Sequence, residues 1–409
     1  MKTIKFSIKV KAIDSYFYGG HLFLVLQDGS IAYTELSKVI RKLVDNYPAF
    51  ENLIRLSFQR NDYLSNRQGL MILGVGELKN ALMKLWERAT NEIVFAVDFD
   101  IDDFEVIAKI PSMPVLDMRM YAMRMYLGCK EGLYEINLNP QDNYYIKPSK
   151  PVLCFDSKVT HLNAKSGEVV ISANSEGLFH GSFLNSKNKL KVVDKPVAKK
   201  SIRTGWSNYD VINYEEHNSF EYFVNETTNI DNKPKYSKFD EQVERRRITE
   251  FGRSTFGMAQ LMEYSNLKVE DVSYCFNSST SGFFFTKDGQ FINININKEN
   301  KQDLYFTSRN HQLPNLENQK KQFTRPMSSS IVPKGCVIEY FDKVVLYHNG
   351  KAKIIETNAS INVRTYPSSI RYKNLITITK DEEVSIHSIY PFDETPIKLT
   401  FDNDNIFDE

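Results

Sequence analysis

One pattern recurs along these 409 residues and limits what they can fold into: an apolar run, a short polar turn that usually carries glycine, then an alternating run. It occurs as HLFLVLQ-DG-SIAYTEL at Gly29, MRMYLGCKEG-LYEINL at Gly132 and EVVISANSEG-LFHGSF at Gly177. It returns as GFFFTKDG-QFININI at Gly289, KVVLYHNG-KAKIIE at Gly350 and LITITKDEE-VSIHSI at Glu382. Glycine accepts positive φ, and the preceding acid or amide tolerates a tight turn, so each copy predicts a β-hairpin. Two copies agree in detail: Leu127–Glu135 can be laid over Ile171–His180 with one extra residue in the second. Internal similarity of this kind is what repeat architectures leave in a sequence.

A mostly β chain of this length must dispose of many strand edges, and a ring of blades does so by radial repetition. The 45 residues between the turns at 132 and 177 match one four-stranded unit of roughly 40–50 residues. The longer intervals predict a blade carrying an insertion or a blade with weak signals. On these hairpins the chain resembles the β-propeller superfamily. The resemblance implies a mainly all-β fold: one propeller of about six or seven blades over residues 1–395, with helical insertions. TIKFSIKV at the N-terminus is expected to complete the last blade and close the ring, with ASINVRTY an outer strand and SIRYKN the next inner one. There is no Trp-Asp dipeptide closing a strand, no kelch companion to Gly19-Gly20, and no sialidase box in SSTSGFFF. A pair of β-rich domains is the competing architecture.

Insertions are expected at 37–90 and at about 230–265, with an acidic tail over 396–409. In the first, Val39, Ile40, Leu43 and Val44 share a helical face after Ser37, and Leu78, Ala81, Leu82, Leu85, Trp86 and Ala89 follow the i, i+3, i+4 rule. In the second, SKFDEQVERRRITEF carries a looser helical stripe through Phe239, Val243 and Phe251.

Charge is balanced, with 52 basic and 51 acidic residues, so a dedicated nucleic-acid wrapper is disfavoured. The 27 Phe and 22 Tyr favour pleated, half-buried surfaces. Cys129, Cys154, Cys275 and Cys336 are scattered, with no C-x-x-C, and form no disulfide framework. No stretch has the apolar length of a signal peptide or membrane span. The expected location is therefore the cytoplasm, with a bacterial source and no membrane partner.

The motifs that carry chemistry are each outweighed by a plainer reading. LMILGVGELKNALMKLWERA followed by NEIVFAVDFD has the order strand, Gly74-x-Gly76, helix, strand of a dinucleotide unit. Its third glycine position is Lys79 and no further βα units follow, so a helix against the side of the propeller is preferred and no cofactor is expected. Asp98, Asp100, Asp102, Asp103 and Glu105 alternate carboxylates, but Phe99 and Ile101 between them do not suit a calcium loop. The seven histidines never stand at i, i+4 or beside a cysteine, so no metal site is expected. No nucleophile elbow, phosphate loop or zinc-protease helix is present. The stretch Lys187–Arg203 is basic, with Trp206 and Tyr209 close by, and Arg245-Arg246-Arg247 forms a second cluster. The tail sets Ile406 and Phe407 among acids, which suits a short docking motif, though a frayed end is the plainer reading.

The functional expectation is a non-enzymatic scaffold that binds one or more proteins in a larger assembly. Its candidate interaction residues are Leu78, Leu85, Trp86, Lys199, Lys200, Arg203, Arg245, Arg246 and Arg247. The alternatives are a propeller hydrolase or lyase, with carboxylates at the central channel, and a nucleic-acid binder using the basic patches. Oligomeric state is left open.

Overall fold

The computed structural model describes residues 3–389 except 65, 93–94, 98, 100, 139–144, 166, 183–188, 208–209, 226–227, 232–244, 249–250, 259–261, 264–267, 279–280, 288–289, 301–302, 312–325, 334, 349–350 and 359. The chain is a seven-bladed β-propeller, each blade an antiparallel meander running outward from the axis. Blade 1 has strands Ala12–Tyr18, His21–Leu26, Ser30–Glu35 and Glu105–Lys109. Blade 2 has Val115–Tyr121, Arg124–Cys129, Leu133–Asn137 and Val152–Phe155. Blade 3 has His161–Lys165, Glu168–Ser172, Leu178–Ser182 and Lys191–Val192. Blade 4 has Arg203–Ser207, Asp210–Glu216, Ser219–Asn225 and Phe251–Gly257. Blade 5 has Val272–Asn277, Ser281–Thr286, Phe291–Asn300 and Asp303–His311. Blade 6 has Ser328–Val332, Gly335–Glu339, Lys343–His348 and Lys351–Thr357.

Blade 7 takes three strands from the end of the described chain, Asn362–Thr365, Leu375–Thr379 and Glu383–Ile389, and its fourth from the beginning, Thr3–Lys9. The closing strand pairs antiparallel from Thr3 opposite Ile389 to Lys9 opposite Glu383. Closure by the N-terminal segment is therefore as the sequence predicts. The neighbouring expectation needs correction: Asn362–Thr365 is the innermost strand of blade 7, and the SIRYKN segment is turn. The outer place is already filled by Thr3–Lys9.

The apolar runs are explained by where the core lies. It is not one central mass but a set of sandwiches between successive blades. One cluster joins blades 2 and 3 through Leu133, Val169 and Ile171, and another joins blades 4 and 5 through Ile212, Phe220 and Phe284. Blades 5 and 6 meet at Tyr274, Phe291 and Tyr347, and blades 6 and 7 at Leu346, Ile376 and Ile378. A second strand is thus covered on both faces, and Glu168–Ser172 and Leu375–Thr379 are buried at every residue. Such strands lose the polar alternation of a half-exposed sheet.

The matched segments in blades 2 and 3 are equivalent turns. Cys129 N–H donates to Gly132 O at 2.8 Å, and Ala173 N–H to Gly177 O at 2.9 Å across a loop one residue longer. Asn174, at φ 55°, lies in that longer loop. Gly177 has φ 119°, and a Cβ there would stand 2.2 Å from Ala198 O; at Gly132 it would stand 2.3 Å from Phe155 O. Both glycines are required because the loop presses on backbone of an adjacent segment.

Between the third and fourth strands of blade 1 the chain departs into helices, chiefly Leu36–Asn46, Arg67–Leu73 and Gly76–Glu92. Val39, Ile40, Leu43 and Val44 are buried in the largest core cluster, as their spacing predicts, and Leu36, where the helix begins, joins them. The insertion returns through Phe95–Val97, which adds to the closing strand in parallel. This three-residue pairing is the whole of the parallel sheet around Gly74 among the described residues. Leu70–Leu73 is helical, not a strand, so the dinucleotide pattern is local coincidence.

Candidate functional site

Because strands alternate in direction, the turns between second and third strands, and the linkers to the next blade, open on one face of the ring. The third-to-fourth connections open on the other. The helical insertion lies on this second face, and so does the hairpin Thr228–Asp231 with Arg245–Ile248 in blade 4.

At the inner rim, polar side chains run from blade to blade. In blades 1 and 2 the innermost strand has a register shift at the same place, between Ala12 and Asp14 and between Val115 and Asp117. A bulge re-aims the side chain that follows it. Asp14 Oδ1 accepts from Ser15 N–H and Asp117 Oδ1 from Met118 N–H, both at 2.8 Å. Arg364, from the innermost strand of blade 7, donates Nε to Asp14 at 2.7 Å and Nη2 to Asp117 at 3.0 Å. Asp117 Oδ2 takes the Leu162 N–H of blade 3 at 2.7 Å. One guanidinium and two carboxylates thus join four blades in a site where all three side chains are buried.

Burial raises the Asp14 carboxyl above its ordinary value, against the pull of Arg364. For Asp117, burial is outweighed by His161, Arg364 and Arg119, and its carboxyl lies below the ordinary range. His161 stands 3.9 Å from Asp117, and burial brings its imidazole down to about 4. Its Nδ1 accepts from Thr204 N–H at 3.4 Å, which leaves the proton of the neutral ring on Nε2, facing Asp117. Farther round, Arg203 lies 4.5 Å from the Tyr214 ring and 4.6 Å from the Tyr274 ring, and donates to Cys275 O at 2.8 Å. Tyr274 Oη meets Ser329 Oγ of blade 6 at 3.0 Å. Two inward acids do converge, as a hydrolytic reading requires, but on an arginine and backbone amides that already satisfy them. The belt is built to hold blades together.

A second cluster secures the closing strand. Glu356, on the outermost strand of blade 6, accepts from Lys5 Nζ at 2.6 Å, Lys380 Nζ at 3.0 Å and His387 Nε2 at 3.2 Å. Burial alone would raise its carboxyl, but these three partners hold it well below the ordinary range. Burial lowers the His387 imidazole.

Two surface features can receive a partner. On the turn face, a cleft of about 570 Å³ opens between blades 4 and 5, lined by Lys200, Ile202, Glu215, His217 and Lys287 among others. On the insertion face, the elbow between helices Arg67–Leu73 and Gly76–Glu92 exposes Met71 by 61%, Ile72 by 53%, Val75 by 56% and Leu78 by 40%.

The sequence-derived candidates are distributed among these features. Leu78 belongs to the exposed elbow. Trp86 is fully buried and Leu85 partly buried against the same core, so they anchor the helix beneath it. Lys199 and Lys200 are exposed on the turn face, Lys200 beside the cleft and 3.4 Å from Glu216. Arg203 is spent inside the blade 4–5 junction. Arg245, Arg246 and Arg247 lie on a strand paired with Thr228–Asp231, which corrects the helix expected there. Phe251, placed in the same helical stripe, instead begins the outer strand of blade 4, its ring 4.8 Å from His180. Lys187, Tyr209 and most of residues 230–265 before Arg245 lie outside the described residues, as do Asp98 and Asp100. Asp103 pairs with Lys42 at 2.7 Å and Glu105 accepts from Tyr33 at 2.7 Å, so these acids have protein partners. The sequence does not single out Asp14, Asp117 or Arg364. Their one local signal is position: each is the third residue of an innermost strand.

No protein-family model matches the chain, and no curated protein matches it by sequence. Solved structures do match. The β-propeller domain of Cps50 (Swd1) from Myceliophteria thermophila is 8% identical, with a TM-score of 0.50 over 95% of this chain and 100% of that one. The WD40 β-propeller domain of Doa1 is also 8% identical, with a TM-score of 0.45 over 95% and 93%. At such identity the likeness is one of fold, and the chain resembles the β-propeller superfamily in architecture, without the Trp-Asp signature of the WD40 repeat.

Proposed function

We propose that this chain is a non-enzymatic scaffold that binds protein partners in a multi-protein assembly. The observation that carries the reading is the elbow: Met71, Ile72, Val75 and Leu78 stand exposed within eight residues, on a helical unit whose other face is anchored by fully buried Trp86. Contiguous exposed apolar side chains on a well-packed support are the mark of an interaction surface. The inner-rim acids are committed to Arg364, which favours an architectural ring over a catalytic one.

Deleting residues 37–90 would test the partner surface poorly. It would uncover the closing strand, since Phe58 packs edge-on against Phe6 at 4.8 Å. The sharper variant is Ile72→Asp with Val75→Asp, which charges the elbow and leaves the core alone. Affinity purification from the native host is expected to recover a stoichiometric companion with the intact chain. Recovery should fall at least about tenfold with the variant, as loss of a central apolar contact predicts, at an unchanged melting temperature. A chain recovered alone, or a companion retained by the variant, would overturn the reading.

A further inference from the structure

The apolar elbow is one end of a longer strip. We propose that this strip, running from Met71, Ile72, Val75 and Leu78 past three arginines to Ile370, docks an acidic amphipathic segment of a partner protein. This rests on the scaffold reading and adds the chemistry of what the surface takes.

Principles of packing and hydrogen bonding tie the two ends together. Residues 366–374 join the first and second strands of blade 7, so they open on the insertion face. Within them Ile370 is 76% exposed, the highest value for a large apolar side chain among the described residues. Beside it, Arg371 lies 5.7 Å from the Tyr372 ring and donates Nε to Gln59 O of the insertion at 3.4 Å. Asn374 N–H donates to Asn61 Oδ1 at 3.2 Å, a second tie between the same two segments. Arg60, between Gln59 and Asn61, lies 4.1 Å from the Tyr63 ring. The helix Arg67–Leu73 is pressed back on Tyr63, where a Cβ at Gly69 would stand 1.8 Å from Tyr63 O. Contacts therefore run unbroken from the Ile370 loop to the helix that ends in the elbow.

Charge selects the occupant. Residues 366–374 hold Arg371 and Lys373 and no acid. Residues 67–80 hold Arg67 and Lys79 against Glu77 alone. Arg60 is paired with Asp62 at 3.2 Å, and its side chain stays 48% exposed. Cations thus outnumber acids along a strip whose two ends are apolar, while the whole chain carries only +1. A segment with Asp or Glu among apolar anchors meets both kinds of group, and a basic one is repelled. An amphipathic helix presents such anchors on one face at i, i+3, i+4 and i+7. Anionic membranes are read by about four to eight clustered Lys or Arg. Here Glu77 stands inside the elbow, between Val75 and Leu78, which favours a peptide over a lipid surface.

Peptide display on the full chain tests this without the native companion. The probe is a phage library of random peptides of about 16 residues, roughly four helical turns. Selection against the immobilised protein is expected to enrich peptides rich in Asp and Glu, with apolar residues at helical spacing. The tightest of them, made synthetically, should bind about tenfold more weakly to Arg67→Glu/Lys79→Glu, and about as much more weakly to Ile370→Asp. Both variants should keep the melting temperature of the intact chain, and added salt should weaken binding to that chain. Enrichment of basic or uncharged peptides, or an empty selection, would overturn the proposal. So would acidic peptides that bind both variants as they bind the intact chain. Sedimentation of the intact chain with phosphatidylserine vesicles would overturn it too, and would make the strip a membrane surface. Companion recovery uses neither the library nor these variants. If it succeeds where this test fails, the scaffold reading stands with a partner of other chemistry.

Discussion

Replacing Arg364 with methionine is expected to destabilise the protein by about 3–5 kcal/mol, the usual cost of breaking a buried ion network by removing one partner. Methionine retains much of the side-chain volume, so the loss is mainly electrostatic. Asp14 and Asp117, 3% and 6% exposed, would lose the guanidinium they share, leaving Asp14 with one backbone amide and Asp117 with its amides and the flanking His161 and Arg119. Denaturant unfolding should show the fall in midpoint. Adding Asp14→Asn should recover part of the loss, because the penalty arises from stranded charge more than from a missing contact. A change below about 1 kcal/mol in Arg364→Met would contradict the role given to the rim network.

Glu356→Ala is the second large effect, expected at about 2–4 kcal/mol because it removes the shared acceptor of Lys5, Lys380 and His387 at the closing blade. Its sign with pH follows from linkage. The folded carboxyl lies below its unfolded value, so its stabilisation is complete above about pH 4.5 and is lost as pH falls through the folded pKa. The intact chain should therefore lose stability below about pH 4.5, and the variant should show a shallower loss there. His387, depressed by burial, acts at higher pH: the unfolded chain takes up its proton first, so stability declines as pH drops below about 6.5. Parallel stability profiles for the two proteins below pH 4.5 would exclude Glu356 as the source.

The hairpins legible in the sequence are those whose turns carry a Gly or a run of acids. Blade 4 is nearly invisible because its central turn is His217-Asn218, without glycine. In blade 6 the glycine misleads: Gly350 lies between the third and fourth strands, while the central turn is Phe341-Asp342. Counting from Gly350 as a central turn is what makes Asn362–Thr365 look like an outer strand. The arginine cluster misleads because a sparse apolar stripe fits a helix as readily as a strand whose partner is unknown. The rim network has no local signature at all. Arg364 meets Asp14 across 350 positions and Asp117 across 247, so only closure of the ring brings them together. The elbow is half legible: the helical period locates Leu78, Leu85 and Trp86 on one stripe, yet it does not tell the anchored end from the exposed one. Met71, Ile72 and Val75 look in sequence like a strand and a glycine turn.

Closure by the N-terminal strand is the claim from which the rim network, the Glu356 cluster and the placement of the insertion all follow. Ser7 and Ser385 face each other across that pairing, their Oγ atoms 3.2 Å apart and 378 positions distant in sequence. Ser7→Cys with Ser385→Cys, oxidised under dilute native conditions and mapped by non-reducing peptide digestion, should yield one intrachain disulfide between residues 7 and 385. A thiol at position 7 that stays reduced, or that pairs with any cysteine other than the one at 385, would contradict the closed seven-bladed ring.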